Sequence, residues 1–180
     1  MGQISYRLLS EDIIINEFTC GNPSIDQMLK DGFYSTLLKQ GFCYEIVIRD
    51  RIVGYFFYTY ILVSCNDENM DSYCSTLMGF NYPALHIKFI AIDKKFQRKK
   101  IGTNVLRLFI SNARKLHKDF PVRFVVIDAL KDLESFYSKL GFQPVDDQDI
   151  SANLSTIRMF FDLFDDDERQ RLQDYISSII

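Results

Sequence analysis

Ile90-Ala91-Ile92-Asp93-Lys94-Lys95-Phe96-Gln97-Arg98-Lys99-Lys100-Ile101-Gly102-Thr103-Asn104-Val105-Leu106 runs from an apolar, β-branched segment into a helical one through a turn dense in positive charge. Leu85 to Ile92 begins with alternation and ends as a continuous apolar run, the pattern of a strand passing from a sheet edge toward its centre. After the basic turn, Val105, Leu106, Phe109, Ile110, Ala113 and Leu116 recur at helical spacing and predict a helix from about Gly102 to His117, stopped by Pro121. Val122 to Ile127 reads as a second buried strand. One helix between two such strands makes a right-handed crossover, hence a parallel pair. A helix that starts straight from a strand end offers unpaired N–H groups at the positive end of its dipole, and flanking Lys and Arg deepen that potential. Such a turn suits a phosphate. Neither G-x-x-x-x-G-K-[ST] nor G-x-G-x-x-G occurs, so it is neither a P-loop nor a dinucleotide fingerprint.

Outward from this unit, Tyr6 to Leu9 reads as a first strand. Asn22 can cap a helix whose first position is Pro23, and the helix is expected to run to about Lys39 and close at Gly41. Tyr44 to Ile48 and Ile52 to Val63 flank the polar Arg49-Asp50-Arg51 and read as an antiparallel hairpin. Ser64 to Pro83 has no clear periodicity and reads either as a functional loop or as an insertion with short elements. Asp132 is the expected cap of a short helix through Ser135 to Leu140, with Gly141 in the left-handed closing position. Phe142 to Val145 and Ile157 to Phe164 read as further strands. The carboxylates from Asp165 to Glu168 open a last helix, whose stripe of Leu172, Tyr175, Ile176 and Ile179 faces either its own domain or a partner. One domain, residues 1–164, followed by a C-terminal helix, residues 165–180, is the expected division.

Composition excludes several classes. With 47% hydrophobic residues and 14% aromatics, the chain can build a sizeable core and is not disordered or collagen-like. No run approaches the roughly 18 apolar residues of a membrane span, so no membrane role is expected. Met1 to Arg7 shows no apolar signal core, which points to a cytoplasmic protein with reduced cysteines. Cys20, Cys43, Cys65 and Cys74 form no C-x-x-C pair and no zinc spacing with His86 or His117, so they read as structural thiols and no metal is expected. The net charge of −3 conceals a segregation. Nine basic residues and no acidic one lie between Lys94 and Lys118, while the remainder holds 12 basic against 24 acidic. The cluster before Gly102 calls for an anion, whereas Arg107 to Lys118 fits a solvated helix face.

Gln97-Arg98-Lys99-Lys100-Ile101-Gly102 resembles the signature Gln/Arg-x-x-Gly-x-Gly/Ala of the GNAT superfamily of acyl-CoA-dependent N-acyltransferases, matching at Gln97 and Gly102 with Lys100 in place of the first glycine. Leu133-Glu134-Ser135-Phe136-Tyr137-Ser138-Lys139-Leu140-Gly141-Phe142 is similar to the family's later motif, a Phe-Tyr pair on a helix followed by Gly-Phe entering a strand. The resemblance spans about Tyr6 to Phe164. It implies an α/β (α+β) fold: a mixed, mostly antiparallel central sheet of six to seven strands with a central parallel β-α-β unit and helices on both faces. Acetyl-CoA is the implied cosubstrate. Ile90-Ala91-Ile92 would hold its pantetheine arm through the main-chain groups of Ile90 and Ile92, and Gln97, Arg98, Lys99, Lys100, Ile101, Gly102 and Thr103 would cradle its pyrophosphate.

Acyl transfer needs a neutral amine, a polarised carbonyl and a proton for the departing thiolate. Tyr137 is the expected general acid, since a phenol with a reference pKa near 10 stays protonated at neutral pH; simple helix packing is the other reading of that ring. His86 is the imidazole on the strand before the cradle and a candidate base; an ordered water or an already neutral amine are the alternatives. No cysteine lies in a nucleophile setting, which favours direct attack in a ternary complex. Phe18 to Leu29 also resembles the N-terminal segment of the GNAT branch that contains toxins acetylating aminoacyl-tRNA. Three functions therefore compete: acetylation of a small-molecule or macromolecular primary amine, acetylation of charged tRNA, and cofactor binding without catalysis. A homodimer or an antitoxin partner is compatible with the last helix.

Overall fold

The computed structural model describes residues 3–9, 18–64, 81–145 and 155–179. In chain order the elements are β1 (Ile4–Leu8), α1 (Pro23–Lys30), α2 (Gly32–Leu37), β2 (Phe42–Ile48), β3 (Arg51–Ser64), β4 (Asn81–Ile92), α3 (Ile101–His117), β5 (Phe124–Leu130), α4 (Glu134–Ser138), β6 (Gln143–Pro144), β7 (Thr156–Asp162) and α5 (Asp166–Ile179). Among the described residues these strands form a seven-stranded sheet of order β1-β2-β3-β4-β5-β7-β6, mostly antiparallel, with one parallel pair. The expected mixed sheet is therefore present, and α3 leads from β4 to β5.

The chain divides into two units, Met1–Tyr60 with His86–Phe109 and Ile61–Leu85 with Ile110–Ile180. The first buries Leu29, Cys43, Tyr55, Phe57, Phe89 and Ala91, with Phe18, Ile25 and Phe33 packed against them. The second is centred on Ala84, Phe124 and Val126, flanked by Ile61, Val63, Tyr82 and Phe160. Full burial of one such Leu or Phe side chain stabilises by roughly 1.5–3 kcal/mol, so each cluster matters to the fold.

Several boundaries differ from the expectations. The single helix from Pro23 to about Lys39 is two, parted at Asp31, because Gly32 approaches Cys43 so closely that a Cβ there would lie 2.8 Å from its Sγ. Thr36 locks this corner, its hydroxyl donating to the Gly32 carbonyl at 2.8 Å and accepting the Cys43 N–H at 2.9 Å. Lys39 rather than Gly41 adopts the left-handed conformation, at φ 59°. β4 begins at Asn81, ahead of Leu85, and its Pro83 carbonyl accepts the Arg123 N–H at 2.9 Å. Most of the aperiodic stretch, 65–80, lies outside the described residues, as do Cys65 and Cys74. β5 runs past Ile127 to Leu130 because its polar member, Asp128, meets Arg158 of β7 at 2.8 Å. Asp132 does not cap α4: it sits in a 3-10 turn, Lys131–Leu133, and the helix starts after Leu133 without a side-chain cap.

Other expectations hold. Asn22 Oδ1 accepts from the amides of Ser24 and Ile25, with Pro23 at the first helical position. Gly141 closes α4 at φ +92°. The β2–β3 hairpin turns through Arg49 and Asp50, both at positive φ, which is the geometry of a two-residue primed turn. Its register shifts between Ile46 and Val47, leaving Val53 as the extra residue of a β-bulge. α5 contacts its own unit near its start, where Glu168 pairs with His117 Nε2 at 2.9 Å; Leu172 is half-buried and Tyr175 is 65% exposed. No helix among the described residues is long and apolar enough to cross a membrane.

Candidate active site

β4 hands the chain to a 3-10 turn, Lys94–Phe96, before α3. Asp93 organises this exit. Its N–H donates to the carbonyl of the bulged Val53 at 3.0 Å, and its carboxylate accepts the Lys95 N–H at 2.8 Å. The Gln97 side chain then staples the turn, its Nε2 donating to Ile92 O at 2.9 Å and to Cys20 O at 2.7 Å. Gln97 thus positions the turn with its amide side chain, a role its place in the signature did not disclose. Of the strand-end residues, Ala91 is buried and Ile90 and Ile92 are half-buried.

Arg98 and Lys100 both lie in the left-handed region, at φ 61° and 58°. Lys100 occupies the place where the signature carries glycine, and its conformation accounts for that preference: an L-residue there costs roughly 1–2 kcal/mol. The first amide of the α3 region with a backbone partner is that of Asn104, bonded to Lys100 O at 3.1 Å. The amides of Ile101, Gly102 and Thr103 therefore open outward from the helix mouth. No acidic residue occupies the first turn. A Cβ on Gly102 would meet nothing closer than Ile92 Cγ1 at 4.0 Å. The fold itself leaves room for a methyl there; a diphosphate lying on these amides would need that room. The donor set and the missing side chain fit the pyrophosphate of coenzyme A.

The segment before α1 is docked onto this turn. Lys94 N–H donates to Thr19 O at 3.0 Å, and Gly21, at φ +87°, lies so close to the Lys94 side chain that a Cβ would collide with its Cε. Asp26 folds the segment by accepting the Thr19 hydroxyl at 2.6 Å and the Cys20 N–H at 2.9 Å. Burial alone would raise the Asp26 carboxyl, but hydrogen bonds from Cys20 and Thr19, with the Lys94 charge, hold it below the usual carboxylate range. Cys20 itself is pushed up to about 11, chiefly by burial, and the buried Cys43 to about 12 for the same reason. Neither is a thiolate at neutral pH, so neither is poised for attack.

Tyr137 lies on α4, 7% exposed, its ring edge-on to Phe136 at 5.0 Å and to Phe142 at 5.8 Å. Burial pushes its hydroxyl up to about 12, so the proton stays on at neutral pH. The hydroxyl has no hydrogen-bond partner among the described residues. His86 is buried on β4 at 2% exposure, about 20 Å along the strand from Ile92 at roughly 3.3 Å per residue. Among the described residues no group of three or more His, Cys, Asp or Glu side chains could hold a metal ion.

Residues 34–163 match the family described as Acetyltransferase (GNAT) domain. A tRNA-acetylating toxin of Mycobacterium tuberculosis (strain ATCC 25618 / H37Rv) is 25% identical over 146 residues, 79% of this chain and 86% of that protein. Among solved structures, a bacterial toxin superposes with TM-score 0.75 at 17% identity, covering 98% of this chain and 97% of that one. AtaT complexed with acetyl-methionyl-tRNAfMet superposes with TM-score 0.70 at 17% identity, covering 89% and 95%.

Proposed function

Because the chain belongs to the GNAT acetyltransferase family and is an acetyl-CoA-dependent N-acetyltransferase, we propose that its acceptor is the α-amino group of an aminoacyl-tRNA. The likeness to the tRNA-acetylating toxin over 79% of the chain carries this reading. The docking of Thr19, Cys20 and Gly21 on the cofactor turn supports it, since they belong to the segment, Phe18 to Leu29, that resembles the toxin branch.

Bound acetyl-CoA supplies the activated acetyl group as a thioester. The amides of Ile101, Gly102 and Thr103 grip its pyrophosphate, and main-chain groups of Ile90 and Ile92 align its pantetheine arm. As the amine nitrogen bonds to the acetyl carbon and the carbon–sulfur bond breaks, Tyr137 gives its hydroxyl proton to the departing sulfur. An α-amino group titrates near 7.7–8.0, well below a lysine amine, so much of it is already neutral in the working range. A strong protein base is then unnecessary: the amine's proton passes to water, Tyr137 regains a proton from solvent, and His86, enclosed in the core, serves packing. The cytoplasm, where charged tRNA and acetyl-CoA meet, is the compartment this chemistry requires.

The test offers acetyl-CoA with charged tRNAs, free amino acids, aminoacyl amides and polyamines. The expected outcome is transfer to charged tRNA with kcat/KM at least about tenfold above that for the matching aminoacyl amide. Transfer confined to small amines would overturn the proposed acceptor.

A further inference from the structure

A cavity of about 820 Å³ opens between the β2–β3 turn and the turn that precedes α3. Val53 and Ile101 give it an apolar wall, while Arg49, Arg51, Arg98, Lys99 and Lys100 all line it with no carboxylate among the lining residues. Lys99 is already engaged, its Nζ donating to Lys95 O at 3.1 Å and lying 5.3 Å from the centre of the Phe96 ring. The other four cations are exposed and form no ion pair among the described residues. Asp50 shares the hairpin turn but does not line the cavity. Like charges gathered around one concavity repel one another, and a bound anion relieves that repulsion. The roughly four negative charges of coenzyme A are already matched by the amides at the α3 mouth and the cations from Lys94 to Lys100. Arg49 and Arg51 come from a different element and exceed that need.

We propose that this cavity seats backbone phosphodiesters of the RNA acceptor, held by Arg49 and Arg51. The inference rests on the aminoacyl-tRNA reading and adds where the RNA is gripped. The hairpin arginines then act as a register for the polyanion: phosphate contacts fix its position without reading its sequence.

The test compares the wild-type chain with Arg49→Gln/Arg51→Gln and with Arg49→Lys/Arg51→Lys, using uncharged tRNA in a fluorescence titration across a salt series and acetyl-CoA in calorimetry. The Gln pair is expected to weaken tRNA binding about tenfold or more and to lower the slope of log K against log salt by about 1.4 to 1.8, since each of the two arginine–phosphate contacts contributes roughly 0.7 to 0.9. Acetyl-CoA affinity, melting temperature and turnover on an aminoacyl amide should stay at wild-type values, and the Lys pair should restore most of the tRNA affinity. A Gln pair with wild-type tRNA affinity and slope overturns the inference while leaving the acceptor reading standing. Loss of acetyl-CoA affinity in place of tRNA affinity assigns the cavity to the cofactor and also overturns it. A wild-type chain that binds no tRNA at low salt overturns both.

Discussion

The amino terminus of α5 is closed twice over, and that of α3 is left open. At α5 the Asp165 carboxylate accepts the Glu168 N–H at 2.9 Å while Glu168 Oε2 accepts the Asp165 N–H at 2.9 Å, a reciprocal capping box with acidic residues filling the first turn. Asn22 likewise closes α1. At α3 the residue in the capping place is Lys100, a side chain with no acceptor, preceded by four cations in the turn (Lys94, Lys95, Arg98 and Lys99) and followed by Ile101 and Gly102. The same chain therefore supplies its own oxygen atoms where a helix end serves stability and withholds them at the end we propose for binding. Amides that no side chain satisfies are the ones a phosphate can take.

Placing a carboxylate where the chain withholds one should break the contrast most severely. Gly102→Asp brings a negative charge to the α3 mouth, and two like charges 4 Å apart repel by about 4 kcal/mol at an effective dielectric of 20. Acetyl-CoA affinity in calorimetry should fall about a hundredfold or more while the melting temperature holds or rises; unchanged affinity would remove the helix mouth from cofactor binding. Tyr137→Phe sharpens the division between holding the cofactor and using it. Turnover should drop roughly tenfold or more with acetyl-CoA affinity intact. Because its hydroxyl is pushed up to about 12, wild-type turnover should show no loss attributable to Tyr137 ionisation below pH 10. A full rate for the phenylalanine variant would take Tyr137 out of the reaction. The smallest effect is expected at a self-capped end: Asn22→Ala should cost about 1 kcal/mol in urea unfolding and leave acetyl-CoA affinity nearly unchanged.

The features legible in the sequence are those with local causes. Asn22-Pro23 announces a helix start, Gly141 a left-handed stop, and the change from continuous apolar residues to helical spacing around Asp93 to Gly102 a strand, a turn and a helix. What escaped depends on distant partners. The break at Asp31 follows from Gly32 meeting Cys43, and the extension of β5 from Arg158 reaching Asp128; neither partner is near in sequence. The same holds at the site. The cradle and Tyr137 could be marked from their motifs, yet the Gln97 amide bridging Ile92 to Cys20, 77 positions away, carries no local signature. Arg49 and Arg51 read as ordinary hairpin residues until the turn before α3 is folded beside them.

The unpaired Val53 gives the hairpin a mechanical meaning. Its carbonyl leaves the ladder to hold the Asp93 N–H, so the length of the β2–β3 hairpin sets the position of the peg on which the cofactor turn hangs. Removing one residue between Ile48 and Gly54 would restore an uninterrupted ladder and unhook that peg. A flaw in the weave is thus the fastening point of the turn before α3.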